Sequence, residues 1–417
     1  TDEEREDALR TQVTKLCKEI DLDQSTALKF LNLLLNESVK VQSDNKQTHL
    51  SMFLKAKALE EEGKKIIHLE VGEPDFKPPK EVKTALAEVY DKGYGKYGPA
   101  KGITELRTAL VESHDWNNIS KENIMICPGA RFAVYLAINT LLNPGDEIIV
   151  IEPAWPAYKD CALNAGIKVR TIKTTLETKW EPSIEQINDT INENTKMIIL
   201  NYPNNPTGKI LPEELQDSII ETAKEHDLYV LSDEIYSAYT TGVGADIQYP
   251  WKSVQTYGYK KSIITESFSK SKAMTGYRIG YAIADPAIID KMSKLQALSI
   301  TNISEPIQYV ALQALKADTS ENTEIINSRL EALIKIAKDI GLEFIEPDGS
   351  MYLFAKTKYK DFDATKFSEK LLEHGVAIAP GEGFGGYKEF FRITAIDETR
   401  LIEGMKILDT VLKESYG

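Results

Sequence analysis

Four short groups of polar residues follow apolar runs of the chain, at the points where buried strands are expected to end. They are 128–130 (Pro-Gly-Ala), 201–208 (Asn-Tyr-Pro-Asn-Asn-Pro-Thr-Gly), 232–236 (Ser-Asp-Glu-Ile-Tyr) and 267–270 (Ser-Phe-Ser-Lys). An open parallel sheet binds its ligands beyond the carboxyl ends of its strands. The amine, carboxylate, amide and hydroxyl groups of these strings are therefore the first candidates for a functional site.

The elements that must position these groups alternate between strand and helix from about residue 50. Several strand-like runs are continuously apolar, which is typical of strands buried on both faces of a mostly parallel sheet. Helical patterns such as 132–142 and 212–226 lie between them. This alternation predicts an α/β fold with helices on both sides of the sheet. The predicted strands are 65–71, 123–127, 147–151, 196–200, 228–231, 262–265 and 278–283.

Both ends of the chain depart from this alternation. Near the C-terminus, short runs between 342 and 394 alternate with helical patterns at 364–374 and 398–414, which predicts a smaller α+β domain. Residues 1–48 form a helical N-terminal extension, with helical spacing of apolar residues at 8–20 and 27–35 and a polar linker at 42–48. This extension either packs on its own chain or a second subunit, or serves as a regulatory or partner-binding module.

Composition excludes several classes of function. Lys and Arg number 50 against 64 Asp and Glu, so the net charge of −14 disfavours nucleic acid and anionic membranes as partners. The first ten residues are acidic, unlike a signal peptide, and apolar runs are too short to span a bilayer. Three scattered cysteines and five scattered histidines predict neither a disulfide framework nor a metal site. We therefore expect a soluble, cytoplasmic protein.

The string at 267–270 is weak alone, because average composition produces Ser-x-Ser-Lys in about one chain of this length in ten. It is followed, however, by Thr-Gly-Tyr-Arg at 275–278 and preceded by the three other strings. Together they resemble fold-type I, pyridoxal-phosphate-dependent aminotransferases of the aspartate aminotransferase class, from about Leu50 to the C-terminus. The resemblance implies a large cofactor-binding domain at 81–319 and a discontinuous small domain at 49–80 and 320–417.

The resemblance assigns catalytic roles to three residues. It places the covalent link to pyridoxal phosphate on Lys270, whose amine can form a Schiff base and move a proton. Asp233 would face the ring nitrogen, and Tyr236 would bind the 3′-oxygen of the ring together with Asn205. Trp155 would stack on the ring. A structural alternative stays open for four of these residues. Lys270 would be an ordinary surface lysine, Asp233 a helix or turn cap, Asn205 a turn residue and Trp155 a packed core residue.

A second set of residues is expected at the phosphate of the cofactor. Gly129 and Ala130 open a helix that begins near Arg131, and the N–H groups of a helix start favour an anion. Ser267 offers a hydroxyl group, and Arg278 offers a charged and potentially bidentate contact. The resemblance thus predicts a phosphate cradle built from three parts of the chain.

Tyr97 resembles a family tyrosine that reaches the phosphate from the neighbouring subunit. This implies a homodimer in which each site is completed by a second chain.

The substrate is expected to lie beside the cofactor, next to Trp155 and Asn205. Arg392 lies between apolar residues, where a charge is costly without a partner, and the family uses the arginine here for the α-carboxylate of the amino acid. A structural salt bridge is the alternative. Gly72 resembles a glycine whose backbone lines the same pocket, where a Cβ would obstruct close approach.

Arg131 bears on the choice of amino acid. One subgroup of bacterial aspartate aminotransferases has a lysine at this position that recognises the side-chain carboxylate of the substrate, and an arginine can do the same. The next residue, Phe132, departs from that subgroup, in which a polar residue is usual. Arg131 is therefore either a dicarboxylate reader or part of an ordinary ion pair on the helix surface.

The sequence therefore predicts an enzyme that transfers an amino group from an L-amino acid, with aspartate or another acidic amino acid as the first candidate, to a 2-oxo acid such as 2-oxoglutarate by a ping-pong mechanism. Aromatic amino acids or alanine are the next candidates. The same cofactor cradle also fits a lyase or synthase of this fold, and a non-catalytic regulator would be a different class of protein. Intact Lys270, Asp233, Tyr236 and Arg392 argue against the regulator.

Overall fold

A computed structural model describes residues 11–17, 49–114, 116, 118–240 and 251–417. The chain divides into two units between Gln47 and Thr48, and each is described by itself. In the first unit, residues 11–17 are helical and lie within the helix predicted at 8–20. The helix predicted at 27–35 and the linker predicted at 42–48 lie outside the described residues.

The second unit is built on a seven-stranded sheet with the strand order β2-β8-β7-β6-β5-β3-β4. Strand β8 runs antiparallel to both of its neighbours, and the other strands run parallel to one another. The predicted mostly parallel sheet is therefore confirmed. The strands are β1 (Ile67–His68), β2 (Ile124–Cys127), β3 (Glu147–Glu152), β4 (Lys168–Lys173), β5 (Thr195–Leu200), β6 (Tyr229–Asp233), β7 (Ser262–Ser267) and β8 (Gly280–Ala284).

Helices cover both faces of this sheet. Along β3, Ile149 and Ile151 pack into one apolar cluster, whereas Ile148 and Val150 pack into another. The alternation follows from the two-residue period of a strand, and it explains why the central strands read as continuous apolar runs. The helices are α1 (His49–Glu61), α2 (Lys80–Asp91), α3 (Thr104–Glu112), α4 (Ala130–Leu141), α5 (Ala157–Asn164), α6 (Ile184–Thr190), α7 (Glu213–Glu225), α8 (Phe268–Ser271), α9 (Pro286–Ile300) and α10 (Glu305–Lys316).

The C-terminal part forms a smaller antiparallel sheet with the order β12-β13-β10-β9, and β1 pairs in parallel with β11. In this sheet Arg392 lies opposite Phe354 on one side and Ala379 on the other. A separate apolar cluster fills the space between the sheet and its helices. The elements are α11 (Ser320–Asp339), β9 (Glu343–Phe344), β10 (Tyr352–Lys356), α12 (Ala364–Glu373), β11 (Val376–Ala377), β12 (Ala379–Pro380), β13 (Phe390–Thr394) and α13 (Glu398–Tyr416).

Two strands differ from the prediction. The run 65–71 forms ladder pairs only at Ile67–His68, so β1 is much shorter than its apolar pattern. Strand β4 was not predicted, because it buries only Ile172 fully and exposes four of its residues. An exposed edge strand that carries lysine and arginine resists pairing with other chains, and it lacks the apolar run used to find the other strands. Among the described helices none is both long and apolar enough to cross a bilayer.

Candidate active site

A cavity of 330 Å³ opens at the carboxyl ends of β5, β6 and β7, and its volume lies at the lower end of the range for small-molecule sites, about 300–1,000 Å³. The strand register places Asp233 beside Thr265 at this edge of the sheet. Eleven of the thirteen predicted site residues line the cavity. They are Gly72, Ala130, Arg131, Trp155, Asn205, Asp233, Tyr236, Ser267, Lys270, Arg278 and Arg392.

Lys270 lies on the single-turn helix α8, directly after β7, and its Nζ donates a hydrogen bond to the carbonyl oxygen of Gly72. Burial is the main reason why the pKa of Lys270 falls to about 8. The positive charges of Arg392 and Arg278 lower it further, whereas nearby carboxylates oppose the shift. About a tenth of this amine is therefore neutral at pH 7, far more than for an ordinary lysine with a pKa of about 10.4, and the neutral form is the nucleophile.

Asp233 ends strand β6 and is almost fully buried. Its Oδ2 accepts a hydrogen bond of 2.6 Å from the hydroxyl of Tyr158, and its Oδ1 accepts one of 3.2 Å from Thr265. The amide of Asn201 donates to the main-chain oxygen of Asp233 at 2.9 Å. Burial raises the pKa of Asp233, and the two side-chain hydrogen bonds oppose that shift by stabilising the carboxylate.

Arg392 lies in the middle of β13 and is only 2% exposed. Its guanidinium lies 4.2 Å from the ring of Tyr352, donates to Asn205 Oδ1 at 2.7 Å and donates to the main-chain oxygen of Glu70. These acceptors are neutral, and Nε has no hydrogen-bond partner in the described part of the chain. A buried cation with an unsatisfied donor beside a cavity is well suited to receive an anionic ligand.

Tyr236 and Tyr352 pack edge to face, with ring centroids 5.3 Å apart, and their hydroxyl groups share a hydrogen bond. Burial raises the pKa of Tyr236 well above its usual value, so it is a neutral phenol. A Cβ on Gly72 would overlap the Tyr352 hydroxyl. The predicted need for glycine at position 72 thus has a specific cause, namely the close approach of this phenol.

A second group of residues lies at the start of α4. Gly129 precedes this helix with a φ of +84°, and a Cβ there would lie 2.8 Å from Nη2 of Arg278. The Arg278 side chain is exposed and donates to the main-chain oxygens of Thr275 and Pro128 at 2.7 and 3.3 Å. The Ser267 hydroxyl lies nearby in the same cavity. Gly129 therefore allows the helix start and the guanidinium to approach each other.

Arg131 stacks on Trp155, with its guanidinium carbon 4.6 Å from the ring centroid. The edge of Trp155 packs against Tyr158, with ring centroids 5.3 Å apart. Burial lowers the pKa of Arg131, and the nearby charge of Arg278 contributes in the same direction. Arg131 thus borders the cavity on an aromatic support, where its guanidinium can meet an anion.

Tyr97 does not line the cavity of its own chain, and its side chain is 88% exposed. The turn before it is nevertheless fixed by hydrogen bonds and by ring stacking. Glu305 accepts hydrogen bonds from the main-chain N–H groups of Gly95 and Lys96 at 2.7 and 2.8 Å, and Tyr94 stacks on Tyr309 at 3.9 Å. The tyrosine is therefore presented outward on an ordered turn.

Several residues of the cavity were not predicted from the sequence, and of these Tyr158, Tyr352 and Glu70 make the contacts described above. Tyr158 lies in the same short string as Trp155, but its partner Asp233 is far along the chain. Tyr352 lies within a run predicted as an ordinary strand. A usable signal existed for four further cavity residues, because they lie within the strings 201–208, 232–236, 267–270 and 275–278. They are Asn201, Ile235, Ser269 and Thr275.

Comparison with known proteins identifies the family. The model for aminotransferase class I and II matches residues 64–408. An aspartate aminotransferase of Pyrococcus horikoshii is 36% identical over 361 residues, which cover 84% of this chain and 91% of that protein. Aromatic-amino-acid aminotransferase 2 of Thermococcus litoralis is 31% identical over 370 residues, covering 84% and 92%. The crystal structure of aspartate aminotransferase from Thermotoga maritima aligns with a TM-score of 0.82 at 32% identity, covering 89% of this chain and 98% of that one.

Two features of the cavity fit pyridoxal phosphate, on which aminotransferases of this class depend. The lowered pKa of Lys270 suits an amine that condenses with an aldehyde. The buried carboxylate of Asp233, whose described side-chain partners are neutral hydroxyl groups, suits a protonated ring nitrogen. The chain belongs to the class I and II aminotransferases and is a pyridoxal-phosphate-dependent transaminase of fold type I.

Proposed function

We propose that this transaminase takes its amino group from L-aspartate or another acidic amino acid and passes it to a 2-oxo acid such as 2-oxoglutarate in a ping-pong reaction. The observation that carries the proposal is Arg392, a buried guanidinium with an unpartnered Nε beside the cavity in the described part of the chain. Every amino acid and 2-oxo acid presents a carboxylate next to the reacting carbon. A fork of N–H donors binds that group in one orientation.

Under this proposal, the cavity residues divide between cofactor and substrate. Lys270 would carry the covalent link, Asp233 would face the ring nitrogen, and Trp155 would lie on the ring. Tyr236 and the amide N–H groups of Asn205 would bind the 3′-oxygen, since the amide oxygen of Asn205 already accepts from Arg392.

The phosphate would lie between Ser267, Arg278 and the main-chain N–H groups of Ala130 and Arg131 at the start of α4, since the N–H group of Gly129 already donates to the oxygen of Cys127 at 2.7 Å. When bound, pyridoxal phosphate supplies an aldehyde that condenses with amines and a ring that withdraws electrons from the substrate Cα.

The side chains of this chain then orient the substrate and move its proton. Arg392 binds the α-carboxylate and fixes the position of Cα. The neutral amine of Lys270 accepts the proton from Cα, and its pKa of about 8 lets the same group return a proton in the second half of the reaction. Asp233 would stabilise the positive charge of the ring nitrogen that it faces. Gly72 contributes a main-chain surface that lets Tyr352 and the substrate approach closely.

Arg131 supports the choice of an acidic donor. It borders the cavity and stacks on Trp155, so it is held in place by an aromatic face. The aspartate aminotransferase of Pyrococcus horikoshii adds support for aspartate, whereas the Thermococcus litoralis relative keeps aromatic amino acids as the second candidate. Alanine is a further candidate donor, and a lyase or synthase reaction is the competing chemistry.

A panel of donor amino acids against several 2-oxo acids tests this proposal. We expect aspartate to convert the enzyme to the pyridoxamine form with release of oxaloacetate, and 2-oxoglutarate to reverse that change. Release of pyruvate and ammonia from the amino acid alone would instead indicate a lyase. Failure of every donor to change the cofactor would favour a regulator.

We further propose a homodimer in which Tyr97 completes the site of the neighbouring chain. The outward presentation of Tyr97 on an ordered turn supports this. Mixing the inactive variants Tyr97→Ala and Lys270→Ala should restore activity, because a mixed dimer contains one intact site. No recovery after subunit exchange would contradict the shared site.

Two other proposals concern the whole chain. We propose a large domain at 81–319 and a small domain at 49–80 and 320–417, supported by the separate apolar clusters of the two sheets. Limited proteolysis tests this division. We also propose a cytoplasmic location, supported by three free cysteines in the described residues. Cell fractionation tests it.

A further inference from the structure

Three titratable side chains form a row that ends at the active site. His68, on β1, lies between Glu60 at the end of α1 and Glu70 just beyond β1. Its Nδ1 shares a hydrogen bond of 2.7 Å with Oε1 of Glu70, whereas its Nε2 is 3.1 Å from Oε1 of Glu60 and has no hydrogen-bond partner in the described part of the chain. The His68 side chain is 15% exposed and that of Glu70 is 0% exposed. His68 therefore joins the helix α1 to the segment that borders the cavity.

Glu70 connects this row to the substrate-binding side chain. Its main-chain oxygen accepts a hydrogen bond from Nη2 of Arg392. Two residues later, the oxygen of Gly72 accepts from Lys270. Strand pairing holds the preceding residues, with Leu69 N–H bonded to Ala377 O at 2.9 Å. The carbonyl of Glu70 is thus one of the two described hydrogen-bond acceptors of the Arg392 guanidinium, beside Asn205.

The buried carboxylate of Glu70 needs a cation. Its Oε2 has no hydrogen-bond partner in the described part of the chain, and its Oε1 contacts His68. An ionised carboxylate in this setting is costly unless it is paired. The hydrogen bond to Glu70, and then the charges of Glu70 and Glu60, raise the pKa of His68 against the opposing effect of burial. Pairing with the two carboxylates therefore favours the charged form of the imidazole.

The other neighbours of His68 do not cancel the effect of these two carboxylates, which raise its pKa. On α1, Lys57 is bound to the second oxygen of Glu60 at 2.7 Å, and the ring of Phe53 lies 6.1 Å from the imidazole. The elements packed on β1 are apolar at their contacts. These contacts are Val376 and Ala377 of β11, and Gly404 of α13 against Ile67 and Leu69. Arg392 is the one further charge nearby that the described contacts connect to this row, through the Glu70 carbonyl.

We propose that His68 and Glu70 are positioning residues for Arg392, with the protonated imidazole holding Glu70 in the place from which its carbonyl orients the guanidinium for the substrate α-carboxylate. The inference rests on the proposed role of Arg392. Because the pKa of His68 is raised, the charged form is complete at low pH and is lost as pH rises through that raised value. The KM for every amino-acid substrate should therefore rise over the same range, while kcat changes less.

The test compares His68→Asn, which keeps a polar group without the charge, with His68→Lys, which keeps the charge. The matched control is His226→Asn, at the exposed end of α7. In the holoenzyme at neutral pH, His68→Asn should raise KM for both L-aspartate and L-alanine about tenfold, which is the scale of one lost charged hydrogen bond. It should also flatten the dependence of KM on pH, and His68→Lys should restore a low KM.

Two measurements do not require turnover. Affinity for succinate, a dicarboxylate that does not react, should fall in His68→Asn and not in the control. The NMR titration of the His68 ring should move to lower pH in Glu70→Gln, because the pairing charge is lost. Absence of transamination with every donor would refute the proposed function, whereas these two measurements would still decide the positioning role.

Several results would overturn the inference. One is an unchanged KM and succinate affinity in folded His68→Asn. Another is a change confined to kcat. A third is a His68 titration that Glu70→Gln leaves unmoved. If His68→Asn does not fold, Glu60→Gln provides the second variant, since it removes the outer partner at a half-buried position. That variant should raise KM by a smaller factor, and an unchanged KM would also count against the proposal.

Discussion

The hydroxyl of Tyr158 donates a 2.6 Å hydrogen bond to Oδ2 of Asp233, the buried carboxylate at the end of β6. Tyr158 lies at the start of α5, three residues after Trp155, whose ring packs against it. One short segment therefore supplies both an aromatic face of the cavity and a donor that favours the ionised form of Asp233.

Replacing Tyr158 by phenylalanine should change both activity and stability, because Asp233 loses a hydrogen-bond donor. Loss of the donor raises the pKa of Asp233 further, so the acidic limb of the activity profile should move to higher pH. The free energy of unfolding should fall by about 1–3 kcal/mol, as expected for a buried acceptor that loses its partner. Activity against pH and denaturant unfolding check these effects. The exposed Tyr90→Phe is the control, and an unmoved acidic limb would argue against the link.

Borohydride reduction of the holoenzyme should attach the cofactor to Lys270, and peptide mass spectrometry should find it there. Lys270→Ala should bind the cofactor without a covalent link and lose nearly all activity. Lys272→Ala is a close control, because Lys272 instead donates to the carbonyl of Ala317 at 2.8 Å. An adduct on Lys272 or Lys101 would show that the assignment is wrong.

The lowered pKa of Lys270 predicts how covalent loading depends on pH. The amine must be neutral to react, so the rate of cofactor attachment to the apoenzyme should rise with pH and level off above about 8. Stopped-flow absorbance measures this rate. Because the charge of Arg392 lowers the pKa of Lys270, Arg392→Gln should shift the profile to higher pH. A wild-type profile centred near the ordinary lysine value of about 10.4 would contradict the prediction.

Arg392→Ala should raise KM for aspartate and alanine alike, since both present the same α-carboxylate. Loss of charged hydrogen bonds of about 1.5–3 kcal/mol corresponds to an increase of about 10- to 100-fold. Arg392→Lys should recover only part of the affinity, because an ammonium group lacks the planar fork. Steady-state kinetics provide the measurement, and an unchanged KM in the alanine variant would refute the role.

Arg131→Ala should separate acidic from small substrates. If Arg131 binds the side-chain carboxylate, kcat/KM for aspartate should fall by about tenfold or more relative to alanine, and Arg131→Lys should retain much of the preference. Steady-state kinetics with the two donors check this. Equal losses for the two substrates would assign Arg131 to general packing on Trp155.

Local sequence pattern was enough to predict the central strands of the large sheet. Strands β5, β6 and β7 were predicted because each is an apolar run that ends in a polar string. Strand β4 was not, because an edge strand needs few buried residues. The shortness of β1 was equally hidden, since Leu69 packs in the apolar cluster of the smaller sheet although the ladder pairs of β1 end at His68.

The candidate site, like the sheet, could be predicted only in part from the sequence. Eleven of the residues that line the cavity were predicted from motifs and from the family resemblance. The partners that set their charge and orientation were not, because contacts such as that between Arg392 and Tyr352 depend on strands meeting in space. The structural position of His68 could not be read from its isolated place in the sequence for the same reason.

The Glu305 carboxylate shapes the turn at Gly95 and Lys96 from within the same chain. The main chain that leads to the protruding Tyr97 is therefore already arranged before anything touches it. Because this turn is already ordered, docking of another protein surface on it costs little conformational entropy. Such docking should therefore be faster and less temperature-sensitive than docking on a loop that folds on contact.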